Sequence, residues 1–253
     1  MMKPEFTERS RHVQAWIISM IVSWDDFDKI TTLLEKYVGI PTRMKLYQKD
    51  IDTFFTAWYE KENRTLIAFD GTKNAGAWIS DFIAIGGKFH QGIKSAMDDV
   101  FMPAIKTIEK LSYVMSTGQS RGGADALYAN YLLRKAGLPD VESWNFSGPY
   151  ITTPEGKEAC KRLGVRHTNF LTDAFSHSLP SDPTDEAGVL HGDHYGPVEQ
   201  LLGGSSVFDH SYLNMTKNLI YWLLQPERVN DRFIEDAKFL ANLIRHGNDL
   251  IKK

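Results

Sequence analysis

Between Leu111 and Gly137 the chain carries one pattern that leaves few folds open. Leu111-Ser112-Tyr113-Val114-Met115 alternates and is rich in strand formers. Shortly after it, Gly118-Gln119-Ser120-Arg121-Gly122 sets a serine between two glycines. Then Ala124, Leu127, Tyr128, Tyr131 and Leu132 recur at helical spacing, Arg134 and Lys135 suit a helix C-terminus, and Gly137 reads as the stop. A strand that turns at once into a helix must place its turn residue in a strained backbone conformation. Neighbours without a Cβ relieve that crowding. The serine hydroxyl then projects from the tip of the turn, above the C-terminal edge of a sheet.

Strand, Gly-x-Ser-x-Gly turn and helix together define the nucleophile elbow of α/β-hydrolases. The plain alternative is a glycine-rich βα loop, such as one that binds phosphate. The remaining pattern fits an α/β fold. Residues 10 to 38 read as two helices. "TFFTAWYE" and "RTLIAFD" read as strands joined at Lys61-Glu62-Asn63. A helix is expected from about Ile93 to Glu109, and strands at "VESWNF" and "VRHTNFLT". Residues 181 to 209 read mostly as loop, Ser211 to Leu224 as a helix, and a last helix begins near Asn230, a good N-cap. Strands alternating with helices predict a mostly parallel central sheet with helices on both faces. The expected organisation is one α/β-hydrolase domain over residues 1–253, with an N-terminal helical segment (1–45) and a C-terminal helix (227–253). Such sheets do their chemistry at the strand C-terminal ends.

Bulk properties exclude several partners. The net charge of −3, with no long basic run, argues against nucleic acid. The single cysteine, Cys160, allows no intramolecular disulfide. The apolar stretch Val13 to Trp24 is too short to span a bilayer. Glu5 and Glu8 stand where a signal peptide is basic, and no small-residue cleavage pattern follows. A buried or amphipathic first helix is the better reading. A cytoplasmic location is the default expectation, and release by a route that needs no N-terminal signal stays open.

A serine hydroxyl needs a base to take its proton, and the base needs an orienting carboxylate. In this fold the chain order is serine, acid, histidine. Asp173 fits the end of a later strand. His177, His191, His194 and His210 follow it, whereas His246 lies inside the last helix and reads as a surface residue.

Over roughly residues 53 to 224 the sequence resembles the class 3 lipase family. "TLIAFDGTKNAGAWISDF", "KFHQG", "TGQSRGGADA", "WNFSGP" and "TNFLTDAFSHSLP" resemble that family's motifs and stand in the family's order. The resemblance implies a carboxylic ester hydrolase acting on lipids, with Ser120 as nucleophile and Asp173 as acid. "FDHSYLNM" resembles the family's histidine segment, which implies His210 as base, with His194 the second choice. It also implies an oxyanion hole from the Arg121 N–H and from Thr72. Three positions depart from the family. It usually carries Arg at Asp70, His at Gln119 and Leu at Arg121. A pairing of Asp70 with Arg121 is therefore expected. An Arg121 pointing into the cleft would instead suit an acidic head group. Trp78, Ile79 and Phe82 read either as a lid that contacts substrate or as a helical turn packed in the core.

The expected partner is an acyl ester or lipid, with transient contact at a lipid interface compatible with it. No metal or organic cofactor is expected. Two other readings stay open. His191, Asp193 and His194, joined by His177 or Asp182, would suit a metal-dependent hydrolase. A catalytically inactive binding protein on the same fold is the other. Head group, chain length and oligomeric state are not legible.

Overall fold

The computed structural model describes residues 1–49, 52–71, 85–86, 88–149, 151–171, 195–201, 211–246 and 249–251. Strands β1 (Arg43–Lys49), β2 (Asp52–Tyr59), β3 (Arg64–Phe69), β4 (Ile85–Gly86), β5 (Phe89–His90), β6 (Tyr113–Gln119), β7 (Val141–Phe146), β8 (Arg166–Leu171) and β9 (Val198–Gln200) alternate with helices. The helices are α1 (Pro4–Thr7), α2 (Arg11–Val22), α3 (Phe27–Tyr37), α4 (Gln91–Ile105), α5 (Arg121–Lys135), α6 (Pro154–Arg162), α7 (Tyr212–Leu223) and α8 (Asp231–His246).

The main sheet runs β1-β2-β3-β6-β7-β8-β9. β1, β2 and β3 are antiparallel neighbours, and β3, β6, β7, β8 and β9 pair in parallel, while β4 and β5 form a separate antiparallel pair. The β2–β3 turn is tight because Asn63 takes φ 45° and its N–H returns to Glu60 O. The parallel strands β3 and β6 are buried nearly throughout, as strands covered on both faces must be.

Alternate side chains feed two cores. Leu66, Ala68, Met115, Phe146 and Phe170 pack with α2, α3, α7 and α8 on one face. Ile67, Phe69, Val114 and Val141 pack with α4, α5 and α6 on the other. This is the α/β-hydrolase arrangement that the strand–helix alternation leads one to expect. Helix α2 is mostly apolar, is buried from His12 to Val22, and lies along β6. Its Trp16 donates from Nε1 to Thr216 Oγ1 (2.9 Å), and Thr117 Oγ1 donates to Ala15 O (3.2 Å). Among the described residues no helix is long and apolar enough to cross a membrane.

Several helix ends follow local chemistry. Gly137 ends α5 with φ +90°, Ser211 caps α7 by accepting the Asn214 N–H, and Asn230 caps α8 by accepting the Phe233 N–H. Six elements are additions to the sequence reading: the short helix α1, the edge strand β1, the short strands β4, β5 and β9, and α6, which Thr153 caps through the Gly156 N–H (3.1 Å).

Candidate active site

β6 ends at Gln119 and α5 begins at Arg121, so one residue makes the whole turn. That residue is Ser120, at φ 59° and ψ −133°. A side chain held there costs about 1–3 kcal/mol and persists only where the surroundings enforce it. They do so from three strands. The Ser120 N–H donates to Phe146 O of β7 (2.9 Å), and Ser120 O accepts the Gly123 N–H (2.9 Å). A Cβ on Gly118 would lie 2.2 Å from the Gly122 carbonyl carbon, and one on Gly122 would lie 2.2 Å from Phe69 O of β3. Both glycines are therefore required by contact: they let the first turn of α5 sit directly on β6 and β3.

Gly71 completes the near side. A Cβ there would stand 3.3 Å from Ser120 Cβ and 2.9 Å from Gln119 O. The turn after β3 thus lies against the serine. Arg121 opens α5, so its backbone N–H belongs to the positive helix end.

The Arg121 side chain departs from the expected pairing with Asp70. It is buried, and its Nε stands 3.9 Å from Asp125 Oδ2, one turn along α5. Its described partner is Asp125 rather than Asp70. Asp70 closes β3 next to the start of α7. Burial first, and then the charge of Asp70, push the Tyr212 phenol above its ordinary range. The Tyr212 ring packs on Trp16 (5.4 Å between centroids), so α2 helps seat the first turn of α7.

Asp173, His177, His191, Asp193, His194, His210, Thr72, Trp78, Ile79 and Phe82 lie outside the described residues. What surrounds several of them in the chain is described. β8 stops at Leu171, just before Asp173. Ser211, the cap of α7, follows His210. Gly71 precedes Thr72. His246 is exposed at the end of α8, as expected.

One group of residues behind the turn escapes the sequence reading. Asn145 of β7 and Asn169 of β8 are buried side by side, joined by Asn145 Nδ2 donating to Asn169 Oδ1 (2.9 Å). The available signal is polar residues spaced by two, Ser143/Asn145 and His167/Asn169, in strands that are otherwise apolar on that face.

No protein-family profile and no curated protein matches this sequence. Solved structures do match its fold. Lipase II from Rhizopus niveus aligns with 20% identity over 80% of this chain and 81% of its own, TM-score 0.53. The Rhizomucor miehei lipase in its propeptide complex aligns with 18% identity over 76% of this chain and 69% of its own, TM-score 0.52. A triacylglycerol lipase described as having a serine-protease triad at its catalytic centre aligns with 18% identity over 78% of this chain and 79% of its own, TM-score 0.53. The chain thus has an α/β-hydrolase fold, and within that fold it is similar to the fungal lipases.

Proposed function

We propose that this protein is a serine hydrolase that cleaves carboxylic esters of lipid type. The observation that carries the reading is Ser120, held at φ 59° on a one-residue turn with Gly71 packed against it. An ordinary phosphate-binding loop has no use for a strained side chain at its tip, whereas a nucleophile does. The similarity in fold to a triacylglycerol lipase with a serine-protease triad supports the same chemistry here.

In this reading Ser120 Oγ attacks the ester carbonyl as His210 takes its proton, and Asp173 holds the imidazole in the right tautomer. The oxyanion is stabilised by the Arg121 N–H, at the positive end of α5, and by Thr72, which follows Gly71. The alcohol leaves with the proton from His210. Water, deprotonated by the same histidine, then frees the acid and restores Ser120. His210 is favoured because the helix that follows it starts beside Asp70, and so close to Gly71 and Ser120. No step calls on a metal or an organic cofactor.

The test is hydrolysis of p-nitrophenyl esters of increasing chain length by wild type and Ser120→Ala. A loss of ~10⁴-fold is expected in the variant. Equal rates in the two proteins would remove Ser120 from the chemistry. Activity lost on chelation would favour the metal reading instead.

A further inference from the structure

The turn that carries Ser120 is one end of a run of buried amides that crosses the sheet. Gly118, Asn145 and Asn169 are partners in register on β6, β7 and β8. The Asn145 carboxamide lies in a cradle of two glycines. A Cβ on Gly123 would be 2.0 Å from Asn145 Oδ1, and one on Gly148 would be 2.3 Å from it and 2.5 Å from Ser120 O. Only glycines let the amide come so close behind the serine. Asn145 Oδ1 accepts the Gly148 N–H (2.7 Å), and Asn145 Nδ2 donates to Asn169 Oδ1 (2.9 Å).

Asn169 uses its amide fully. Its Oδ1 faces Asn145 Nδ2 and His167 Nε2 (3.1 Å), and its Nδ2 donates to Tyr195 O (2.9 Å) and Pro197 O (3.2 Å) before β9. Because Oδ1 can only accept, His167 carries its proton on Nε2. Its Nδ1 then accepts from Ser143 Oγ (2.7 Å), and Ser143 Oγ accepts from Asn130 Nδ2 of α5 (2.9 Å). Arg166 O closes the far end of the run, 3.3 Å from Ser143 Oγ and 2.7 Å from Asn130 Nδ2. Such a network fixes side-chain orientation more tightly than apolar packing does, and a single reversed dipole in it is expensive.

We propose that Asn145 and Asn169 form a clamp that positions the site, fixing the Ser120 turn against the strand that leads to Asp173. The clamp rests on the serine-hydrolase reading. Both are positioning residues: Asn145 acts through Gly123 and Gly148 on the Ser120 turn, and Asn169 acts through β8. Their work is to keep nucleophile and acid in one geometry, where a displacement of about 1 Å costs ~10²-fold in rate.

Asn145→Asp tests this within one fold. It keeps the acceptor for Gly148 and turns the donor toward Asn169 into an oxygen. Ionised, that oxygen repels Asn169 Oδ1; protonated, it donates to it again. Burial raises the pKa of the new carboxyl. The expected result is a variant-to-wild-type ratio of kcat near 10⁻² at pH 8, rising toward unity as the pH falls to 5, with KM for p-nitrophenyl butyrate within about twofold. The rate of Ser120 phosphorylation by diethyl p-nitrophenyl phosphate should follow the same ratio. Asn145→Ser, which keeps a hydroxyl but not the reach to Asn169, should lose about tenfold in kcat at unchanged KM. Near-UV circular dichroism sets the folded fraction in each case. A pH-independent ratio, or rates per folded molecule equal to wild type in both variants, would overturn the clamp alone. A wild type that neither hydrolyses the ester nor reacts with the phosphate would overturn the hydrolase reading, and the clamp with it.

Discussion

At the N-terminal edge of the sheet, Ser10 lies within hydrogen-bond reach of both His12 and Asp236; at the C-terminal edge, Ser120 sits on its turn among glycines. The first group has the residue types of a triad and the wrong wiring. Ser10 Oγ donates to Asp236 Oδ2, the Ser10 N–H donates to the same oxygen (3.1 Å), and His12 Nε2 meets Ser10 Oγ at 2.8 Å. The carboxylate thus holds the serine rather than the histidine. Arg9 Nη1 stands 3.3 Å from the other carboxylate oxygen. His12 sits edge-on to Trp222 (5.1 Å) and Phe233 (5.2 Å). Burial there, and then the charge of Arg232, push its pKa down to about 3, too low for a base at neutral pH. Ser10 has ordinary extended backbone. Nearness of serine, histidine and aspartate therefore makes a staple between α2 and α8. A strained turn, a helix end and a second turn packed against it carry the proposed site.

Four measurements would break or sharpen this contrast. Ser120→Ala should lower kcat/KM by ~10⁴-fold and leave thermal unfolding nearly unchanged; a wild-type rate would erase the distinction. Asp236→Ala should do the reverse. It strands Arg9 and Ser10 in the core and should cost about 3 kcal/mol in denaturant unfolding, with kcat/KM of the folded protein intact. His12 gives a pH signature. Its folded-state pKa lies below the unfolded value of about 6.5, so between pH 6.5 and 3 the unfolded chain binds a proton that the folded one refuses. Stability should fall with falling pH in that window, by up to about 1.4 kcal/mol per unit, and His12→Phe should remove that part of the slope. An unchanged slope in the variant would show that His12 titrates normally. The smallest effect belongs to Ser10→Ala, which should cost about 1 kcal/mol of stability and alter kcat by less than about twofold. A loss of activity like that of Ser120→Ala would make the staple a site after all.

The elbow was legible because its glycines answer a local steric demand that the sequence states outright. The helix boundaries at Gly137, Ser211 and Asn230 were legible for the same reason. β1 was not. As an edge strand it exposes Arg43 and Lys45, so its polar face hides the strand pattern. β9 is too short to show a period. α6 contains Gly156, which a loop would also use; here it lets the backbone approach Lys88 O, where a Cβ would lie 1.9 Å away. The pairing of Arg121 turned on helix geometry: Asp125, four residues on, was the nearer acid, and the family comparison drew attention to Asp70 instead. The amide run was illegible because each bond in it joins different strands, and register is a tertiary fact.

Helix α2 has a consequence for how the protein is made. Trp16 is bonded to Thr216, 200 residues later, and Ser10 to Asp236, 226 residues later. At ordinary translation speeds those partners follow after roughly 10–40 s. Throughout that interval the nascent chain displays a mostly apolar helix whose partners in α7 and α8 do not yet exist. Contacts of such long range form slowly, and exposed segments of this kind attract chaperones and other unfinished chains. The core on that face closes only when α7 and α8 have been synthesised, so α2 waits for partners made some 200 residues after it.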